Sequence, residues 1–196
     1  VVLNINAGTF DASIRTITLS GKGKPFVIGG SGTFYDSTST IKYTGTGALT
    51  NVAATTYKNL QILPTAATTY QFAGGSTTTV EGTWTVTGSA GQVVTLQSSD
   101  GTDWNINPTA WAVDYVSVSH SNNQAGSKIL PTNSTNGGNN TNWFDGISIA
   151  GTSNSSGTVW LAFNGVVQAA TGAIAAGVWS IADVVVSLGD IITAWI

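Results

Sequence analysis

The chain has 196 residues, enough for one domain with a substantial core or for one larger and one smaller domain. Its net charge is -3 and its six Lys and Arg residues are scattered, which excludes the basic footprint of a nucleic-acid-binding protein. The absence of Cys excludes disulfides and thiolate metal sites, and no apolar run approaches the ~20 residues needed for a membrane-spanning helix.

The composition favours strands. Charged residues make up only 8% of the chain, against a usual share of about a quarter. Thr, Ser, Asn and Gln fill the polar positions instead, and 24 Gly suit many tight turns. No window shows a helical period, so the sequence predicts an all-β protein. A Thr-, Gly- and Asn-rich chain with so little charge is typical of an extracellular or cell-surface protein.

The N-terminal segment VVLNINAGTF alternates between apolar and polar residues, as a half-buried strand does. The clearest strand covers residues 78–87, where Thr78, Val80, Trp84 and Val86 fall on one face and Thr residues fill most of the other. Further short strands, each ended by Gly, Pro or another turn residue, are predicted at residues 15–19, 26–28, 33–35, 40–44, 60–63, 69–72, 93–97 and 115–119.

These strands recur at intervals of about 15 to 24 residues, the range for one coil of a stacked solenoid. The segments TITLSG, TIKYTG and TWTVTG resemble one another, and each ends in a Gly that permits a corner. An antiparallel sandwich also has short, regularly spaced strands. Few Asn-Gly hairpin signals occur in the first three-quarters of the chain, which favours a right-handed parallel β-helix over residues 1–144.

The rest of the chain has a different pattern. Residues 121–142 are polar and almost uncharged, which indicates a long loop or a last irregular coil. Strands at 158–163 and 166–171 flank Asn164-Gly165, the strongest short hairpin signal. With strands at 178–181, 184–187 and 191–196, residues 145–196 are predicted to form a small antiparallel β-meander, which either packs on the solenoid or is completed by a neighbouring chain.

Three stretches resemble modules of large secreted bacterial surface proteins. They are IKYTGTGALTNVAATTYKNLQILP, VDYVSVSHSNNQAGSKILPTNSTNGGNNTNWF and the tail that begins at GTVWLAFNGVVQ. The first two are similar to parallel β-helix repeats of adhesin-like or autotransporter-like chains, and the tail is similar to the Ig-like domains that often follow them. The resemblance implies a surface location and a scaffold role, and it carries over no catalytic residue.

Candidate reactive groups are few. His120 is the only histidine, and Asp114 is six residues away, about 20 Å along an extended strand, which is too far for a catalytic pair. Asp100 and Asp103 lie close together in SSDGTDW. A turn in which these side chains bind their own backbone is the favoured interpretation, while a weak calcium site or a pair of hydrolytic carboxylates are the alternatives.

Aromatic residues and chain ends supply the remaining candidates. Of the seven Trp, Trp104 and Trp111 lie in loop-like sequence and are the best candidates for exposed glycan-stacking residues, although core packing is the commoner role of Trp. Apolar strands at both ends invite pairing with another copy. The predicted assembly residues are Val1, Val2, Leu3 and Ile5, and Ile191, Ile192, Trp195 and Ile196.

The sequence therefore predicts a non-enzymatic extracellular structural protein, either a self-assembling fibre subunit or a surface-layer or adhesin-stalk module. The expected partner is the chain itself, and no cofactor is expected apart from the weak calcium candidate. The alternative is a non-catalytic carbohydrate-binding module of the cell surface.

Overall fold

The computed structural model describes residues 1–47, 49–144, 147–184, 186 and 190–196. The secondary structure of these residues consists of strands without helices, which confirms the all-β prediction. The chain divides into two compact units, Val1–Trp143 and Phe144–Ile196. In the described residues no helix has the length and apolarity needed to cross a bilayer.

The first unit is a parallel β-solenoid of about five turns, as the sequence predicts. Its strands are β1 (Leu3–Asp11), β2 (Thr16–Leu19), β3 (Phe26–Tyr35), β4 (Thr40–Tyr43), β5 (Thr50–Val52), β6 (Thr56–Tyr57), β7 (Asn59–Ile62), β8 (Thr68–Phe72), β9 (Thr77–Thr87), β10 (Val94–Ser98), β11 (Trp104–Asp114), β12 (Val116–Val118), β13 (Ser121–Asn123) and β14 (Thr135–Asn136).

The strands stack into three parallel sheets. The longest has the order β13-β11-β9-β7-β4-β2, with β6 beside β9, and the second has the order β14-β12-β10-β8-β5. Strands β1 and β3 form the third. Each rung hydrogen-bonds to the next turn of the chain, so coil follows coil without the long crossovers that other parallel sheets need.

The similar segments found in the sequence occupy equivalent places on successive rungs. Thr16 of TITLSG is in register with Thr40 of TIKYTG, and Leu60 on the following rung is in register with Trp84 of TWTVTG. Their alternating apolar residues face the interior. Coils on either side cover those of the later segments, whereas β2 is the end strand of its sheet and leaves Ile17 half-buried. The inward ladder at the end of these strands is Leu19, Tyr43, Ile62, Val86 and Val113, all of them buried.

Three buried tyrosines form hydrogen bonds through their hydroxyl groups inside the solenoid. The Tyr43 hydroxyl lies 3.4 Å from that of Tyr57, which donates to the Ala53 carbonyl at 2.7 Å. Tyr70 donates to the Gly45 carbonyl at 3.0 Å. Burial raises the pKa of Tyr43 to about 12, and it also raises the pKa of Tyr57 and of Tyr70, because a phenolate loses its hydration there.

Strand β11 is the main departure from the predicted strands, because the sequence around Trp104 and Trp111 reads as a loop. The eleven residues of β11 lie in parallel beside β9. Pro108 is buried opposite Val80, and a register shift between Pro108 and Ala110 accommodates it. Pro cannot donate a hydrogen bond to the ladder, so Pro108 and the Asn residues near it make this sequence resemble a loop. Pairing with β9 on the neighbouring rung nevertheless makes it a strand.

The polar residues 121–142 form a last irregular coil, one of the two structures that the sequence allows. Only β13 and β14 are regular there, and isolated bridges join Asn122 to Thr141 and Ile129 to Trp143. The Asn123 side chain is fully buried and donates to the carbonyl oxygens of Ser127 and Asn142. Side-chain amides thus replace part of the backbone ladder in this coil.

The second unit contains two small antiparallel sheets. Its strands are β15 (Ile147–Thr152), β16 (Thr158–Phe163), β17 (Val166–Ala173), β18 (Val178–Val184) and β19 (Ile192–Trp195). The predicted hairpin joins β16 to β17. Asn164 and Gly165 have φ of 52° and 84°, the positive values that a two-residue type I′ turn requires.

The strand order differs from the predicted meander. Strand β18 pairs with β15, and β19 pairs with β16, giving the orders β15-β18 and β17-β16-β19. The strand expected at 184–187 is the end of β18 at Val184, and its remainder lies largely outside the described residues. A meander assumes that neighbours in sequence pair, whereas here β19 returns to β16 and leaves β18 to the other sheet.

The core of the second unit is small. Leu161 of β16 packs with Ile181 and Val184 of β18, so one buried cluster joins the two sheets. Trp179 packs beside this cluster and also covers Gly151, the residue opposite it on β15. A Cβ atom at Gly151 would lie 2.7 Å from the Trp179 ring, so only glycine leaves room for the indole.

Candidate functional site

Asp100 and Asp103 bind different partners. The Asp100 carboxylate accepts hydrogen bonds from the Thr102 N–H at 2.9 Å and from the Ser98 hydroxyl at 3.0 Å. These bonds lower the pKa of Asp100 because they favour the ionised carboxylate, and the bond from the Thr102 N–H has the largest effect. This geometry is the turn that the sequence favours. Among the described residues, no group of three or more His, Cys, Asp or Glu side chains is placed to hold a metal ion, so calcium at Asp100 and Asp103 stays a prediction.

Asp103 instead belongs to a polar row across three successive turns. Its Oδ1 lies 3.2 Å from Nδ1 of His120, and Nε2 of His120 lies 3.1 Å from Nδ2 of Asn139. An imidazole with its proton on Nδ1 donates to Asp103 and accepts from Asn139. Both ring nitrogens are therefore engaged in joining one coil to the next, which is a structural role for His120.

Trp104 is buried, so the expectation that it is exposed is wrong. Its ring stacks on Phe72 with centroids 4.0 Å apart, and its indole N–H donates to the Ser119 carbonyl at 3.0 Å. Trp143 and Trp104 meet edge to face at 6.5 Å, and Trp143 contacts Trp84 in the same way at 5.8 Å. These rings fill the last coils of the solenoid and are closed to a ligand.

Trp111 is half-buried and lies on β11 directly opposite the fully buried Trp84. Side chains in register on parallel strands point to the same side of a sheet, so Trp111 faces inward like Trp84. It is partly exposed because β13 covers only the start of β11, at residues 104–106. Trp111 therefore packs at an incompletely covered position, and its predicted loop location is wrong. Its role in glycan stacking stays a prediction.

The N-terminal candidates lie at the first turn of the solenoid. Leu3 and Ile5 belong to β1, which pairs with β3 alone among the described strands. Val1 and Val2 precede the strand and are exposed, yet the Val1 carbonyl accepts a hydrogen bond from the Gly21 N–H at 3.1 Å. The first residues are thus held by their own chain, while the edge of β1 opposite β3 has no partner strand in the described part.

The C-terminal candidates lie on β19 and beside it. Ile192 and Trp195 are the ends of this strand, and Ile191 and Ile196 flank it. All four side chains are exposed. Strand β19 pairs with β16 on one side only, and no described strand lies on its other side. It is an edge strand in the sense that makes pairing with another chain feasible.

The sequence does not predict that two exposed tryptophans form a pair. Trp160 of β16 and Trp195 of β19 lie directly opposite one another in antiparallel register. They are 42% and 39% exposed. Alternation in TVWLAF places Val159 and Leu161 on one face and Trp160 on the other, which is a usable signal. The pairing of β16 with β19, thirty residues further on, has no local signal in the sequence.

Two pockets in the described part of the chain are lined mainly by unreactive side chains. A pocket of about 630 Å³ in the second unit is lined by uncharged residues, namely Ala150, Gly151, Thr152, Ala173, Ala175, Val178, Trp179 and Ser180. A pocket of about 400 Å³ in the solenoid has Lys24 as its one ionisable lining residue. Neither pocket brings together an acid and a base or a nucleophile and a base, which are the pairs that hydrolytic chemistry needs.

No protein-family model, no curated protein and no solved structure matches this chain. The agreement with the surface-protein modules that the sequence resembles is therefore limited to the β-solenoid architecture.

Proposed function

We propose that this chain is an extracellular structural protein, a stalk or surface module that associates with copies of itself. The resemblance to adhesin-like and autotransporter-like repeat modules is part of this proposal, as is the cell-surface location. The observation that carries it is the packing of the solenoid, in which apolar residues in register fill the interior turn after turn. Such a unit supplies length and rigidity, and strands with an unpaired edge allow association with another copy.

Strand β19 is the better-defined edge. The Asn164 N–H donates to the Ile191 carbonyl at 2.9 Å, which fixes the hydrogen-bonding pairs between β16 and β19. Because such pairs alternate along antiparallel strands, Thr193 also turns its backbone groups towards β16. Ile192 and Ala194 turn theirs to the free side. A second copy of β19 can pair there in antiparallel orientation, which would join two three-stranded sheets into one.

Proline at position 194 tests this proposal. Ala194→Pro removes an N–H that points away from β16, so the unit keeps its internal ladder while the outer edge loses a donor. We expect the wild-type chain to gain mass with concentration in light scattering, and we expect the A194P variant to stay monomeric. Ala194→Ser is the matched control, because it keeps the N–H and should associate like the wild type.

Two results would count against the proposal. A wild-type chain that remains a monomer at high concentration and forms no particles by electron microscopy has no assembly role through its own strands. Equal association of the A194P variant and the wild type would remove β19 as the edge concerned and leave β1 as the remaining predicted assembly strand.

A further inference from the structure

The outer face of the β17-β16-β19 sheet carries an aromatic pair whose exposure is unusual for this chain. Trp84, Trp104 and Trp143 are buried in the solenoid, whereas Trp160 and Trp195 keep about two-fifths of their surface accessible. Residues directly opposite on antiparallel strands have Cβ atoms about 4.5–5.5 Å apart. The two tryptophan side chains therefore leave the sheet from neighbouring positions on the same face.

The residues around this pair are small, hydroxylated and uncharged. Thr171 lies opposite Trp160 on the far side, so one row across the sheet reads Thr171, Trp160, Trp195. On one side, after a register shift between β16 and β17, the next row contains Val167, the buried Ala162 and Thr193. On the other side, the next row contains Ala173 and Thr158. No residue of these rows is ionisable. The face is thus an aromatic strip with hydroxyl groups at its borders.

We propose that Trp160 and Trp195 form a stacking site for a neutral glycan, with Thr171 and Thr193 as flanking hydroxyl groups. The apolar C–H face of a pyranose ring matches the surface of an indole, and ring hydroxyls directed sideways meet the threonines. Two adjacent indoles accept two neighbouring sugars of one chain. The lack of charge disfavours nucleic acids and acidic polysaccharides, which require cationic side chains for their affinity.

This site goes beyond the structural role and does not depend on it. Side chains stand roughly perpendicular to a sheet, while strand pairing takes place at its edge. Pairing of a second copy along β19 would leave the tryptophan face uncovered. The A194P variant should accordingly bind glycan as well as the wild type does, so failure of assembly and failure of glycan binding can be told apart.

The experiment uses the full chain and two probes, a soluble β-1,4-linked glucose hexasaccharide and, as the anionic counterpart, oligogalacturonate of similar length. We expect saturable binding of the neutral probe by calorimetry, together with a change in tryptophan fluorescence. Trp160→Ala and Trp195→Ala should each weaken binding by about tenfold, the loss expected for one important aromatic contact. The conservative variants W160F and W195F should retain measurable binding.

Val166→Ala is the matched control. Val166 is 66% exposed and lies opposite Phe163, whose side chain packs on the core, so it is an exposed apolar residue on the other face. Its replacement should leave binding unchanged. Far-ultraviolet circular dichroism of each variant confirms that the sheet remains folded.

Three outcomes would overturn the proposal. The first is no binding of the neutral hexasaccharide, and the second is equal binding of the anionic probe. The third is a W160A/W195A double variant that binds as the wild type does but associates less, which would make this face a protein contact. Binding of the neutral probe alone, lost in the double variant and kept in V166A, supports the glycan site.

Discussion

Most tryptophans of the solenoid are buried, whereas two of the three tryptophans of the second unit are exposed. In the solenoid, Trp84 and Trp104 are fully buried because coils above and below cover each rung. In the second unit, Trp160 and Trp195 lie on a sheet face that stays open. A repeated rung provides neighbours for each inward side chain, whereas a small unit with two short sheets buries one face of each and leaves the other to solvent or to a ligand.

The largest effect is expected from truncating the solenoid interior. Trp84→Ala removes a fully buried indole, and we expect the free energy of unfolding to fall by about 3–5 kcal/mol in urea denaturation. Trp160→Ala is the comparison in the other unit, and its cost should be about 1 kcal/mol or less, because cross-strand pairs contribute that much. Equal losses of unfolding free energy in the two variants would show that Trp84 and Trp160 are buried to a similar extent.

The next effect separates the stabilities of the two units. Leu161→Ala removes the central side chain of the small core, and we expect a loss of about 2–5 kcal/mol confined to the second unit. Hydrogen exchange should accelerate in β16 and β18 and stay unchanged in β9 and β11. Faster exchange throughout the solenoid would mean that the units unfold together.

A smaller effect is expected from the polar last coil. Asn123→Ala leaves the carbonyl groups of Ser127 and Asn142 and the N–H of Ala125 without the bonds they make to this side chain. Unpaired buried groups cost about 1–3 kcal/mol. Asn107→Ala, at an exposed position on β11, should change the unfolding free energy by about 0.5 kcal/mol or less. Thermal denaturation of both variants tests whether burial of the amide matters.

A further effect appears only at alkaline pH and again distinguishes the solenoid. Tyrosines in the unfolded chain ionise near pH 10, while burial raises the pKa of Tyr43 to about 12 in the folded chain. The unfolded state therefore releases protons first, so this contribution to stability is full below pH 10 and is lost as the pH rises towards 12.

Urea unfolding at a series of pH values above 9 should show that decline, and it should be shallower in a Tyr43→Phe/Tyr57→Phe variant. Tyr35, an exposed residue on β3, provides the control substitution Tyr35→Phe. A decline of the same slope in the double variant would assign the alkaline loss to other groups.

Residues with a local signal were predictable from the sequence, and residues placed by distant pairing were not. Alternation in residues 78–87 correctly assigns Val80, Trp84 and Val86 to the interior, and Asn164-Gly165 correctly marks the hairpin. Strand β11 was missed because Pro108 and its polar neighbours are typical of loops. Hydrogen bonding to β9 on the neighbouring rung makes those residues a strand, although their own sequence has no strand pattern.

The candidate site was harder to predict for the same reason. The exposure of a tryptophan depends on which strand packs over it. Neither the composition nor the spacing of residues in the sequence identifies that strand. Trp104 gains Phe72 from the preceding turn, so a residue in loop-like sequence becomes core. Trp195 gains Trp160 as a cross-strand neighbour, so two residues far apart in the chain become one surface.

The register of the rungs has a mechanical consequence. Hydrogen bonds between rungs run along the solenoid axis, so tension along that axis acts on them directly and the coils at the ends, which are paired on one side only, separate first. Adjacent strands are about 4.8 Å apart, yet the 24 residues between Ile17 and Ile41 span roughly 80 Å once drawn out. Each coil that peels away would lengthen the tether more than tenfold over its folded contribution. A chain pulled from its ends would accordingly extend in discrete steps, each as long as one unwound coil.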